Sequence, residues 1–258
     1  MYQLLKGILK ACMPDKFMLK TEPVFRSMLY FFYRGNTYQC GICGKGLRKF
    51  VDLPGGDRLC PNCGSLGRTR RLWDLLQQGY LGRGARVLDF SPSRCLHRQM
   101  KRNTNIRYTS TDFVREFPSD QQYDITDIAA PQGSFDLILC YHVLEHVEND
   151  SLAMKELYRV LDNGGTCIVQ TPFTKGPVYE NADVTTPEER KRHFGQADHV
   201  RIYSVEGLKD RLEKAGFRVE VKEYHVDAPN REGFNSQEYI LIAGKTPTVY
   251  SSSGFLSL

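Results

Sequence analysis

The sequence has no run of 18 apolar residues, which excludes a conventional membrane-spanning helix. Its first ten residues, Met1 to Lys10, hold too short an apolar stretch for a secretory signal, and no good cleavage site is visible. A reducing, cytoplasmic setting is therefore expected. No internal repeat is visible. A Gly-x-Gly-x-x-Gly turn is missing, as is a phosphate-loop lysine pattern, so the chain is poorly suited to pyrophosphate ligands.

What is present is enough for a sizeable core. Of 258 residues, 41% are apolar and 25% charged, a balance that fits one large domain or one domain with an appendage. The net charge of +5 hides a step. Residues 1–86 hold 15 Lys+Arg against 5 Asp+Glu, whereas residues 87–258 hold 20 against 25. A basic first part and an acidic second part suggest two functional regions. The basic part could face nucleic acid, an anionic membrane surface or the acidic part itself.

Residues 1–36 form a basic, aromatic, helical segment, with Val24 to Tyr33 crowded by rings and Lys6, Lys10, Lys16, Lys20, Arg26 and Arg34 interspersed. Docking on the rest of the chain is expected, with peripheral membrane contact through residues 1–33 as the alternative. Residues 37–80 carry the strongest local pattern. Cys40-Gly-Ile-Cys43 and Cys60-Pro-Asn-Cys63 are two Cys-x-x-Cys knuckles separated by 16 residues. A two-residue spacer lets both thiolates of a knuckle face one ion, and two knuckles complete a tetrahedral set suited to structural zinc. Two disulfides are the alternative, and a reducing compartment argues against them. Four thiolates leave no open coordination position. Cys12, Cys95, Cys140 and Cys167 are read as small apolar residues. Ser65 to Gly79 predicts a helix with Leu72, Leu75 and Leu76 inward. Arg68, Arg70 and Arg71 near its start predict a solvated face, or else an anionic partner.

From residue 81 to 258 strands and helices alternate. Strands are expected at Val87–Asp89, Ile106–Asp112, Tyr123–Ile128, Ser134–Tyr141, Thr166–Thr171, Phe217–Lys222 and Tyr239–Ala243. Helices are expected over Asn149–Gly165 and from Ser204 to Gly216. This pattern predicts an α/β fold: a Rossmann-like, doubly wound, mainly parallel seven-stranded sheet with helices on both faces. Residues 172–203 read as an irregular insert at the carboxyl edge, where lids are common. His193, Asp198, His199, Arg201 and Tyr203 crowd into it.

The turn after the first of these strands is Ser91-Pro92-Ser93. Pro92 removes an N–H and the seryl side chains crowd the approach of a phosphate. Asp89, Asp112 and Asp124 suit hydroxyls and amines instead. A nucleoside with a cationic amino-acid arm and no phosphate fits that balance, and S-adenosylmethionine (SAM) is such a molecule. Residues 85–243 resemble a class I SAM-dependent methyltransferase, of the group whose fourth strand ends in His-x-Leu-Glu-His. Here that block is Ser134-Phe-Asp-Leu-Ile-Leu-Cys-Tyr-His-Val-Leu-Glu-His-Val147, followed by Glu156-Leu-Tyr-Arg-Val-Leu-Asp-Asn-Gly-Gly165 and by Ala215-Gly-Phe217. The cysteine knuckles resemble a zinc ribbon.

The resemblance implies that Asp89, Phe90 and the Ser91–Ser93 turn hold the methionyl end. It implies that Asp112, beside Phe113, binds the ribose, that Asp124 and Ile125 meet the adenine, and that Tyr141 and His142 line the methyl-transfer face. Ser-Pro-Ser replaces the group's Gly-x-Gly. A hydroxyl acceptor would need a general base, for which His199, His142 and Tyr203 are the candidates. Glu145 and His146 could ligate a metal, although a structural role at a helix start is favoured. The function expected is SAM-dependent methyl transfer to a small-molecule or glycan-type acceptor. RNA is the alternative acceptor, and a catalytically inactive zinc-ribbon binding protein is the alternative class.

Overall fold

A computed structural model describes residues 15–54, 56–117, 119–226 and 228–246, with side chains from residue 21 onward. The chain divides into two units. The first runs to Arg83 and takes in Ser93–Asn105 and Glu223–Glu238; the second comprises Gly84–Pro92, Ile106–Lys222 and the chain from Tyr239.

The second unit is built on a sheet whose strands are β5 (Arg86–Phe90), β6 (Arg107–Thr111), β7 (Phe135–Tyr141), β8 (Leu161–Gln170), β11 (Arg218–His225) and β12 (Gln237–Gly244). Their order is β11-β12-β8-β7-β5-β6. β5 runs parallel to β6 and β7, β7 runs parallel to β8, and β12 runs antiparallel to β8. Val87, Leu88, Leu137, Ile138, Leu139, Ile168 and Val169 are buried. Central parallel strands are covered on both faces, which is why these segments read as continuous apolar runs rather than alternating ones.

Among the described residues the sheet has six strands, not the seven expected, because Tyr123–Ile128 does not pair as a strand. Asp124 accepts hydrogen bonds from both the N–H and the hydroxyl of Thr126, at 2.8 and 2.7 Å, and bridges to Asp127. An aspartate that binds the backbone two residues on offers the chain a turn in competition with a ladder.

The helix expected over Asn149–Gly165 is also shorter. α4 (Asp150–Val160) opens on the Asn149 side chain, which accepts from Leu152 N–H, and it hands over directly to β8 at Leu161. Ala153, Met154, Leu157 and Val160 of this helix share a core with Leu208 and Leu212 of α6 (Val205–Lys214) and with Ile138, Val169 and Leu241.

The segment 172–203 is more ordered than its composition predicts. β9 (Tyr179–Glu180) pairs antiparallel with β10 (Arg201–Ile202). Between them lies α5 (Pro187–Phe194), with a Thr186/Glu189 capping box and Gly195 in the left-handed conformation that ends it.

The first unit holds α1 (Asp15–Phe31), two short antiparallel pairs, α2 (Gly67–Gln77) and α3 (Arg94–Arg102). The pairs are β1 (Arg34–Gln39) with β2 (Gly46–Leu47), and β3 (Val51–Asp52) with β4 (Arg58–Leu59). Leu29, Tyr30 and Tyr33 pack on the core around Leu47, Phe50 and Leu59. Val24, Met28 and Phe31, spaced along one face of α1, stay exposed, so the expected docking is partial. Residues 1–14 of that expected segment lie outside the described residues.

The arginines of α2 divide between the readings offered for them: half-buried Arg68 has an acidic partner, Asp57, at 2.8 Å, whereas Arg70 and Arg71 leave the solvated face altogether. Arg70 is buried, with its guanidinium 4.2 Å from the Phe50 ring centre. It donates to the carbonyls of Glu232, Ser65, Arg58 and Gly233. Arg71 is buried 3.6 Å from the Phe234 ring centre and 3.7 Å from the Glu238 carboxylate. A planar guanidinium with five donors can satisfy several loop carbonyls at once while its face stacks on a ring. Among the described residues no helix is long and apolar enough to cross a membrane.

Candidate active site and four-cysteine centre

The carboxyl edge of the parallel strands carries two strained residues. β5 ends at Phe90, and Ser91 follows with φ 47°; β7 ends at Tyr141, and His142 follows with φ 55°. A non-glycine residue in this region costs about 1 kcal/mol or more and persists only where neighbours enforce it. The residue before a proline favours extended backbone, so Ser91 is doubly constrained. Its N–H donates to Thr111 C=O at 2.7 Å and its hydroxyl to Asp112 at 2.7 Å. His142 N–H donates to Gln170 C=O at 2.8 Å.

Asp89 precedes the Ser91 turn by two residues on β5 and is in register with Leu139, three residues before His142 on β7. It is buried and accepts the Tyr108 phenol at 2.9 Å. Burial pushes its carboxyl up to about 7, and the Tyr108 hydrogen bond opposes that rise. Phe90 beside it is buried.

Asp112 is buried with both oxygens engaged. One accepts from Ser91, the other from the backbone N–H of Glu116 and Phe117 at 2.6 and 3.0 Å. Phe113 is exposed, Asp124 is half-buried in its turn, Ile125 is buried and Tyr141 is half-buried. Ser93 falls in the first unit, at the N-terminus of α3, with its hydroxyl 3.4 Å from the Cys95 sulfur.

The candidate bases separate. His142 Nδ1 is 3.1 Å from Glu145 Oε1. His199 is buried and meets His146 edge to face, ring centres 4.7 Å apart. Burial and the neighbouring His146 lower its basicity. Tyr203 is wholly buried and donates to Asp150 at 2.6 Å, with burial raising its phenol. Tyr203 thus sits in the core with its hydroxyl held by Asp150.

Sequence reasoning missed how Glu145 and His146 join His199. They sit on a 3-10 turn, Leu144–His146, and Val200 N–H donates to Glu145 C=O at 2.9 Å. That bond lays residue 199 beside residue 146. Arg201 fixes the same turn by donating to Leu144, Val147 and Glu148 carbonyls. The sequence offered Glu145 and His146 as possible ligands and a dense set of polar groups around His199, with no sign that the two meet.

The four cysteines converge in the first unit. Both knuckles have one geometry. Gly44 N–H donates to Cys40 C=O, and Gly64 N–H to Cys60 C=O. Both glycines are left-handed, at φ 68° and 79°. Cys40 and Cys63 sulfurs are 3.6 Å apart, those of Cys43 and Cys60 3.8 Å. Tetrahedral bonds of about 2.3 Å to one ion put sulfurs about 3.8 Å apart, far beyond a disulfide of about 2 Å. All four are free thiols, so the donor set fits a tetrahedral thiolate metal. The Ser65 hydroxyl lies 3.3 Å from Cys40 and 3.2 Å from Cys63, and Arg70 donates to the Ser65 carbonyl. Cys95 and the Cys140–Cys167 pair are buried as expected, and Cys12 lies outside the described residues.

Known proteins show what this fold belongs to. Solved structures of the same fold include a SAM-dependent methyltransferase from Archaeoglobus fulgidus, 18% identical over 70% of this chain and 95% of that one, TM-score 0.50. The YcgJ protein of Bacillus subtilis is 15% identical over 69% of this chain and 99% of that one, TM-score 0.50. The cyclase SpnF is 17% identical over 69% and 81%, TM-score 0.50. Among curated proteins none matches the chain. The sequence profile of a methyltransferase-domain family matches residues 67–221, more than half of the chain. The chain belongs to that family and is a SAM-dependent methyltransferase.

Proposed function

We propose that this methyltransferase acts on a small or sugar-containing acceptor at the carboxyl edge of its sheet, in a reducing cytoplasm, with its four cysteines holding one structural zinc ion. The observation that carries the catalytic reading is Asp89. A buried carboxyl raised to about 7, two residues before the enforced turn at Ser91, is suited to receive a cation. SAM supplies a methyl group on a sulfonium, whose leaving group is a neutral thioether. In this reading ionised Asp89 pairs with the amino group of the methionyl arm, and the Ser91 turn closes over that arm. Asp112 accepts ribose hydroxyls once Ser91 releases one of its oxygens. Asp124 and Ile125 meet the adenine, and exposed Phe113 flanks it. Tyr141 and His142 line the transfer face, where alignment of the acceptor does most of the work. His142 and His199 are the bases available to a hydroxyl acceptor.

A small acceptor is favoured over RNA by the arginines of α2. Arg70 and Arg71, the strongest basic pair beside the knuckles, are engaged inside the unit and not offered to phosphates. The test is calorimetric titration with S-adenosylhomocysteine, then transfer from methyl-labelled SAM to fractionated extracts. Label in a low-molecular-weight or glycan fraction supports the reading. Label confined to RNA overturns the acceptor class.

A further inference from the structure

One cluster at the carboxyl edge has more ligand atoms than its internal bonds use. Glu145, His146 and His199 each present one such atom, all within 4.8 Å of one another. Donors around a single ion with bonds of about 2.1 Å lie about 3–4 Å apart, so small side-chain rotations close the set. Glu145 is 1% exposed, and its Oε2 has no hydrogen-bond partner. A buried carboxylate oxygen without a partner keeps its full desolvation penalty uncompensated. His142 bonds the other Glu145 oxygen through Nδ1, and its own buried Nε2 is likewise without a partner. Asp198 lies 3.2 Å from His146 Nδ1. A carboxylate on one imidazole nitrogen fixes the tautomer that leaves the other nitrogen to a cation.

We propose that Glu145, His146 and His199 hold one divalent transition-metal cation, and that its open positions take an oxygen of the acceptor. Two imidazoles and a carboxylate suit manganese, iron, cobalt or zinc better than calcium. Three protein ligands leave coordination positions for water or substrate. The acceptor half of the proposal rests on the methyl-transfer reading above. With His199 taken up as a ligand, His142 is the base that remains: a hydroxyl on the cation loses its proton to His142, its oxygen bonds to the methyl carbon, and the sulfur–carbon bond breaks. The electron pair stays on sulfur, leaving a neutral thioether, so charge and atoms balance without an oxidant or further reactant. An oxygen acceptor follows, because a hydroxyl gains most from a metal that lowers its pKa.

The experiment uses the full chain with its cysteine centre filled by zinc. Mn2+ is titrated and the free ion is followed by electron paramagnetic resonance; Co2+ absorption is a second probe, because N/O bands are free of thiolate charge transfer. One ion should bind beyond the zinc. The double variant His146→Gln/His199→Gln should weaken it roughly tenfold or more, and Glu145→Gln should do likewise. S-adenosylhomocysteine is titrated into the same variants, and unchanged affinity shows that they fold and that the cofactor site is separate. Equal uptake of Mn2+ and Co2+ by the wild-type chain and the double variant overturns the site. Cation binding with no S-adenosylhomocysteine binding keeps the site and removes the methyl-transfer reading instead.

Discussion

The four-cysteine centre and the Glu145 cluster differ in how completely the chain satisfies its own donors. In the first, every sulfur faces the other three, a hydroxyl serves two of them, and two equivalent glycine turns fix the frame. In the second, a buried carboxylate oxygen and an imidazole nitrogen are left over. A closed set of like ligands holds a fold together. An open set of unlike ligands, standing beside two strained turns, keeps capacity for something that comes and goes.

The sharpest way to break that comparison is to open the closed centre. Cys60→Ser leaves three thiolates, and the first unit should lose most of its cooperative melting transition. Structural zinc contributes on the order of 10 kcal/mol in small zinc modules. Elemental analysis should show the zinc lost with the transition; a variant that melts as the parent does and still carries metal would contradict the assignment.

Arg70→Met tests whether the surround of that centre matters as much as its ligands. Carbonyls of Glu232, Ser65, Arg58 and Gly233 lose their donor together, so denaturant midpoints should report a loss of about 3–5 kcal/mol. Arg70→Lys should recover little, because a point charge lacks the fork.

On the open side, Asp89→Asn should weaken S-adenosylhomocysteine by roughly tenfold or more, since a fully buried charge pair is removed. The wild-type pH profile carries its own sign. Asp89 has a folded value raised to about 7, so its proton is held more tightly folded than unfolded. That contribution to stability is whole below the ordinary carboxyl range of about 4 and is lost as pH rises through 7. Cofactor affinity should move the other way, rising with pH through 7 as the carboxylate becomes available. A flat calorimetric profile between pH 5.5 and 8.5 would be evidence that Asp89 does not meet the cofactor's ammonium group.

Tyr203→Phe should cost about 1 kcal/mol of stability by leaving Asp150 one donor short, with transfer rates close to wild type. Arg211 still donates to Asp150 at 2.6 Å. A large loss of rate at unchanged stability would restore Tyr203 as a base. The smallest effect expected is on α1. Met28→Glu and Phe31→Glu should leave cofactor binding unchanged. Flotation with anionic vesicles separates a membrane role for that face from none, since only a membrane role makes flotation sensitive to these charges.

What could be read in the sequence follows the same division. Both knuckles are local: each is four residues and a glycine, so spacing alone conveys geometry. The strands Val87–Phe90 and Phe135–Tyr141 were legible because buried parallel strands are apolar on both faces. The missing strand at Tyr123–Ile128 was not legible, because the carboxylate that suits an adenine also turns the backbone, and composition cannot say which it does. The buried arginines were hard to place for a similar reason: a cation at a helix start signals a partner, and here the partners include two carbonyls and a carboxylate more than 160 residues away in the chain. The Glu145 cluster depends on one main-chain bond across residues 145 and 200, for which no pattern of residue types stands in.

That bond also sets how far the segment before it can drift. Between Phe194 and His199, composition is held at Gly195 by its left-handed backbone and at Asp198 by its contact with His146. Because His199 directly precedes Val200, deleting one residue from 195–198 while the Val200 amide stays paired leaves His199 beside His146 and moves the strain to the end of α5. Insertions elsewhere in residues 172–193 are buffered by the capped helix and the β9–β10 pair. The register of one amide thus selects the site: pairing residue 199 or 201 with Glu145 in place of Val200 would put another side chain beside His146 and leave the sheet unchanged.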